Sequence, residues 1–313
     1  EPVSTPTIDH YQIIHDGNGL TCDAETVTIK ACTNSYDGSC TESTDAVTLD
    51  VKATGSSSVI DTISFTGTGT ASIAYTIAES TVLSLENASI AAINSTVCFD
   101  GSTTNCNLVF ADAGFIFSQT STLNVDIANQ VAGTPFTAYI RAVESVDGIC
   151  TGLFNGDVPV KLSQKNVQPS GIDGLTFTVK DTHLNTKTLG KHPTYTDVEL
   201  EFDGSSEATL TNATYFDAGQ IQLYASYSVD GVNLVGSSNT FWVSPFQLVT
   251  SAQSGGSDID GSTDNSSTTH EAGQAFDFTV TAYNSLGTEI ENITANYTPN
   301  NMQLLLTRTG PSS

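Results

Sequence analysis

The sequence predicts an all-β protein made of tandem immunoglobulin-like β-sandwiches, the last of them incomplete. Three observations carry that expectation. Thr, Ser, Val, Ile and Gly dominate, Met and Trp occur once each, and apolar residues alternate with period 2 where helical periodicity is hard to find. A strand-turn-strand pattern occurs twice: Asp112-Ala-Gly114 with Ile116 returns as Asp217-Ala-Gly219 with Ile221, 105 residues on, about one sandwich length. A second pattern repeats as well, since Ala132-Gly-Thr-Pro-Phe136 through Val143 matches Ala272-Gly-Gln-Ala-Phe276 through Tyr283.

Taken in order, residues 8–20 read as a strand closed by a Gly-rich turn, and Glu25–Cys32 as the next strand. Asp45–Lys52, Ala71–Ile77 and Val82–Ile93 continue the alternation up to a Cys98–Cys106 hairpin. Asp112-Ala-Gly114 then suits a tight turn, the Asp bonding backbone N–H groups two residues on and the Gly accepting positive φ. In immunoglobulin-like domains such a corner joins strands E and F; Ile116 and Ile221 stand where a Tyr usually follows. Gln168–Gly174 reads as a turn. Leu175–Val179, Val198–Phe202, Leu223–Val229 and Asn239–Val243 read as strands, with Asp230-Gly231 as a hairpin turn. Pro245 marks an exit, and Ser251–Ser257 opens a polar linker. The expected units are 1–118, 119–249 and 250–313. From Val27 to Asp112 is 85 residues and from Phe136 to Asp217 is 81, so a third corner is due near residue 357–361 and the third unit is expected to be partial.

Composition narrows function. Thirty-four acidic against nine basic residues give a formal charge of −25, a field that repels phosphate backbones and anionic lipid heads and argues against nucleic-acid binding. No run of about 18 apolar residues spans a membrane. No basic leader precedes Glu1, which reads as a mature or trimmed end. Six cysteines without Cys-x-x-Cys indicate disulfides, hence a periplasmic, cell-surface or secreted location. They admit 15 connectivities. Cys32/Cys40 and Cys98/Cys106 each bracket a turn at a spacing of eight, which leaves Cys22 with Cys150.

The runs His15-Asp-Gly-Asn-Gly-Leu-Thr-Cys22, Val27-Thr-Ile-Lys-Ala-Cys32 and Phe110-Ala-Asp-Ala-Gly-Phe115 resemble the C-terminal region of MshQ-type proteins. Those are encoded with the mannose-sensitive haemagglutinin pilus of Gram-negative marine bacteria. Asn239-Thr-Phe-Trp-Val-Ser-Pro-Phe246 resembles an inter-domain segment of that family, with Ser244 in place of the usual Arg, and Ala272–Ala282 resembles the strand opening its next unit. The resemblance runs over roughly residues 8–300. It implies a surface pilus or adhesin component and supplies no catalytic residues.

The chemistry-bearing residues are few. Five histidines are scattered, and neither His-Glu-x-x-His nor Gly-x-Ser-x-Gly is present, so no enzyme is expected. Asp258, Asp260 and Asp264 form a calcium candidate in a Gly-containing loop, although neither EF-hand register fits and a solvated acidic linker competes. Six Asn-x-Ser/Thr sequons arise from composition in a Ser/Thr-rich chain. Trp242 reads as core before it reads as a sugar platform. Lys161, Lys165, Lys180, Lys187 and Lys191 read as a solvated face, with a contact surface for an acidic neighbour as the alternative. Phe276, Phe278 and Val280 are expected on an open edge or against another chain, because half a sandwich leaves an edge and an apolar face uncovered. The expectation is therefore an extracellular structural or adhesive segment of a pilus-associated surface protein. Its partners would be other pilus or envelope proteins, through strand pairing with another chain. The alternative is a calcium-assisted carbohydrate-binding module with surface glycans as partners.

Overall fold

A computed structural model describes residues 8–35, 40–100, 104–121, 125–169, 171, 174–229, 232–259, 270 and 273–292. The described residues form tandem sandwich units followed by an open sheet.

In the first unit, apolar alternation does what it predicts. Along Ala46–Thr54 the residues Val47, Leu49, Val51 and Ala53 all point inward, each at most 1% exposed. The nine strands from His10–Ile14 to Asn107–Ala111 form one continuous sheet. Strands from both ends of that sheet, including Ile13, Cys98, Leu108 and Phe110, share a single core with Val27 and Leu49, so the sheet is folded over on itself. His10–Ile14 and Asn18–Leu20 run parallel to Val97–Phe99 and Asn107–Ala111 respectively. Each buried aliphatic or aromatic side chain contributes about 1.5–3 kcal/mol relative to exposure.

The second unit is a two-sheet sandwich. Ala113–Ser118, Phe136–Val146, Glu207–Tyr215 and Phe177–Lys180 make one layer; Phe241–Ser244, Gly219–Val229 and Gly156–Gln168 make the other. Phe115, Ile140, Leu162, Phe177, Ile221 and Phe241 meet between them. Ala113–Ser118, assigned to the first unit on sequence, is hydrogen-bonded here to Phe136–Val146 from Ala113↔Glu144 to Ser118↔Tyr139. Asp112 is accordingly the point where the chain crosses from one unit to the next, and not a corner inside the first. Its counterpart Asp217 does turn the chain between the two layers of one sandwich. Gly114 is required by a close approach, because a Cβ there would lie 2.5 Å from the Val235 carbonyl oxygen. Gly219 has φ +135°, the backbone freedom expected of the motif.

The third region is the three-stranded sheet of Ser257–Asp258, Gln247–Ser254 and Asp277–Tyr283, antiparallel from Gln247↔Tyr283 to Gln253↔Asp277. Its end does not stand apart: Ala282 and Ile290 are buried in the core of the second unit.

Candidate functional site

Polar side chains meet at two joints, among them the buried His15, Thr21, Asp217, Asn284 and Asn292. The first begins in the turn after His10–Ile14. Gly17 N–H donates to His15 Nδ1 at 3.1 Å, so His15 carries its proton on Nε2 and donates it to the Asn105 carbonyl at 2.8 Å. Asp16 accepts from Asn18 N–H at 2.8 Å and reaches across the joint to the Ser237 hydroxyl. Thr21 donates to Asp112 at 2.8 Å, and Cys22 is bonded to Cys150 across the same joint. Burial pushes the Asp16 carboxyl up against the lowering effect of its hydrogen bonds. Burial, then the charges of Asp16 and Asp23, push Glu25 well above the usual carboxylate range. Cys32 pairs with Cys40 and Cys98 with Cys106, both inside the first unit.

Beside this contact lies an open cleft of about 140 Å³, walled by Asp16, Asn18 and Asp100 from the first unit and by Lys165, His192, Tyr195 and Tyr224 from the second. His192 stacks on Tyr224 with ring centres 4.0 Å apart, and its Nδ1 is 3.2 Å from Ser163 Oγ. Burial lowers the Lys165 ammonium, opposed by Asp100; burial and then Lys165 lower His192. Ser163 is fully buried, so this Ser–His pair offers no reachable nucleophile. The cleft is also smaller than a typical small-molecule site. Lys165 thus lies at a joint, where the sequence reading gave it to a solvated face. Lys191 likewise turns inward, donating to the Leu175 carbonyl at 3.0 Å and lying over the Tyr215 ring.

The second joint is centred on Asp217, which is fully buried. It accepts from the backbone N–H groups of Leu175 at 2.8 Å, Ala218 at 2.8 Å and Asn292 at 3.1 Å. The Asn292 amide donates to Tyr215 Oη at 3.1 Å and to the Ala218 carbonyl at 2.7 Å. Asn284 donates to the Phe216 carbonyl at 3.0 Å. Sequence spacing had shown Asp217 as a turn residue; nothing in it pointed to Asn284 or Asn292 as partners, 67 and 75 residues on.

Beyond this joint the exposed apolar residues concentrate: Phe246, Leu248, Val249, Phe276, Phe278 and Leu286. Phe278 and Val280 lie on Asp277–Tyr283, whose outer edge over 277–281 has no strand partner among the described residues; Phe276 immediately precedes it. Trp242 is 37% exposed between inward-facing Phe241 and Val243, so it points outward and is not core. Asp258 ends the short strand Ser257–Asp258, while Asp260 and Asp264 lie outside the described residues. Among the described residues no group of three His, Cys, Asp or Glu side chains could hold a metal ion.

Comparison with known proteins agrees with this architecture. Residues 8–91 match the family described as DUF8613, a domain of unknown function, and residues 95–237 match DUF6701, a domain of unknown function described as a first Ig-like domain. No curated protein matches the chain. Among solved structures, the chain is similar to the D0–D1 domain of intimin, with 14% identity, TM-score 0.30, and coverage of 74% of this chain and 96% of that one. It is also similar to a tetra-tandem repeat in the extending region of a large adhesion protein, with 10% identity and TM-score 0.23 over 78% of this chain and 51% of that one. The chain thus spans about half the length of that repeat structure. Likenesses at these scores carry no functional argument. The chain is an all-β tandem of Ig-like units, disulfide-bonded within and between them, whose middle portion is similar to the first Ig-like domain of DUF6701.

Proposed function

We propose that the chain is an extracellular structural and adhesive segment that holds Ig-like units in a fixed relation on a surface protein, in the pilus-associated setting its sequence resemblance implies. One observation supports this most: its long-range disulfide, the Asp16–Ser237 hydrogen bond and the Asn292–Asp217 hydrogen bond all lie at joints between units. Three disulfides suit an oxidising compartment, and the −25 charge keeps such a chain soluble outside the cell. Partners would be other pilus or envelope proteins, with the backbone edge at 277–281, which has no strand partner among the described residues, available to an added strand. Solution scattering of the full chain tests the structural part. One rigid particle is expected, unchanged by added salt; a broad ensemble of inter-unit angles would sink it. Adherence of cells with and without the protein tests the adhesive part.

The outward ring of Trp242 favours a second reading, a carbohydrate-binding module with calcium at Asp258, Asp260 and Asp264. A glycan array run with and without calcium separates the two, since a structural segment binds no glycan in either condition.

A further inference from the structure

The three disulfides divide by where their cysteines lie. Cys32 is fully buried, Cys98 is 3% exposed within the core of the first unit, and Cys106 packs against that core. Cys22 and Cys150 are each partly exposed and belong to neither core. Cys22 follows the three-residue strand Asn18–Leu20. Cys150 lies in the short strand Ile149–Gly152, which pairs with Phe136–Val146 and whose Ile149 is 67% exposed.

Thiol–disulfide exchange is sensitive to that difference. An attacking thiolate must reach one sulfur while the other leaves as a thiolate, so access and the stability of the leaving charge both set the rate. In Cys32–Cys40 and Cys98–Cys106 one cysteine is buried and closed to attack. Attack on its partner would expel a charge into that buried site, which is costly. In Cys22–Cys150 either cysteine is within reach and either can leave toward solvent. The consequences differ as well. Each local bridge spans eight residues inside the first unit, whereas Cys22–Cys150 spans 128 and is the one disulfide that joins two units. Without it the joint keeps Asp16 on Ser237, Thr21 on Asp112, and Leu20 over Gly114, where an added Cβ would lie 2.9 Å from Leu20 Cδ2.

We propose that Cys22–Cys150 is a thiol–disulfide exchange site, at which a dithiol reductant releases the first joint while both units stay folded. A thiolate of the dithiol attacks one of the two sulfurs, the S–S bond breaks, and the other cysteine leaves as a thiolate that takes a proton from water. The second thiol of the reductant, as its thiolate, then attacks the mixed disulfide. It frees the remaining cysteine, which is protonated in turn, and the reductant departs as its own disulfide. Two electrons pass from the dithiol to the bridge. Release has meaning only if the oxidised chain is rigid, so the site rests on the structural role proposed above.

Limiting dithiothreitol added to the full oxidised chain, followed by alkylation and peptide mapping, tests the site. Cys22 and Cys150 are expected to be alkylated first, with Cys32–Cys40 and Cys98–Cys106 still bonded. In that species amide protection is expected to be lost at 15–22 and 149–152 and kept over Ala46–Thr54 and Gly219–Val229, while solution scattering broadens. Earlier or simultaneous alkylation at either local bridge would overturn the proposal. So would lost protection over Ala46–Thr54 or Gly219–Val229, which would mean that a unit had unfolded. A broad ensemble before any reductant sinks the structural role and the release with it, whereas a rigid particle both before and after reduction sinks the release alone.

Discussion

The two joints hold their neighbours by different physics. Between the first and second units the contact is thin in apolar residues and rich in charge: Asp16 on Ser237, Thr21 on Asp112, and raised carboxyls at Asp16 and Glu25, with the Cys22–Cys150 bond across it. Between the second unit and the third region there is no disulfide, yet Ala282 and Ile290 share the second unit's core and Asp217 is satisfied from three sides. A joint built on desolvated charge needs a cross-link to compete with water, whereas a joint built on packing and buried hydrogen bonds holds without one, even with the buried Asn292 Oδ1 left unpartnered.

The largest expected effect comes from breaking the first joint. The bridge closes a loop of 128 residues, so Cys22→Ser with Cys150→Ser should cost about 5 kcal/mol by the loop-entropy argument. Peptide mapping of the unmodified chain without reductant must first return the Cys22–Cys150 peptide. Amide exchange should then rise at 15–22 and 149–152 in the variant and stay unchanged at 282–292. Loss of protection at both joints would show that they are not independent.

Asp217→Ala should cost about 3 kcal/mol, because three N–H donors, each worth about 1.5–3 kcal/mol when bonded to a charge, lose one acceptor and stay buried. Chemical denaturation read at Trp242, in the second unit's sheet, measures it. Asp112→Ala, in the same motif but exposed and accepting only one side-chain bond, is expected to cost about 1 kcal/mol or less. Equal costs would mean that the motif, and not its surroundings, sets the energetics.

A smaller effect than those at Cys22–Cys150 and Asp217 is pH dependence at the first joint. Glu25 binds its proton more tightly folded than unfolded, since burial and then Asp16 and Asp23 raise it. Stability from this group is full below its unfolded pKa of about 4.3 and is lost as pH rises through the higher folded value. Glu25→Gln should therefore gain about 1 kcal/mol at neutral pH, and the gap to the parent should close on acidification. Thermal melts across that range decide it, and a gap that is constant with pH would remove Glu25 from the account.

Much of the fold was legible because alternation is local information. Val47 to Ala53 and Phe278 to Ala282 take their faces from a period that any strand must show. Where alternation is lost, so is legibility: Phe241-Trp-Val243 is apolar at every position, and only the pairing of Phe241 with Ile221 and Val243 with Gly219 turned Trp242 outward. The sites were less readable, because their members come from distant strands. Ser163 and Tyr224 meet only when Gly156–Gln168 and Gly219–Val229 pair, and His192 joins them because Gly190–Lys191 runs beside Gly156–Gln168.

By itself the sequence determined the all-β class, the tandem repeat, the positive φ of Gly219 though not of Gly114, and an acidic, cysteine-containing chain suited to an oxidising compartment. Those properties follow from composition and short-range pattern, which need no partner to act. Tertiary structure alone decided that identical motifs serve different ends. Asp112 marks a crossing between units and Asp217 a buried hub, because the backbone of Asn292 reaches one and open solvent borders the other. A turn residue fixes its own backbone, but its burial depends on which remote segment packs over it, and that is set by long-range contacts that no local window contains.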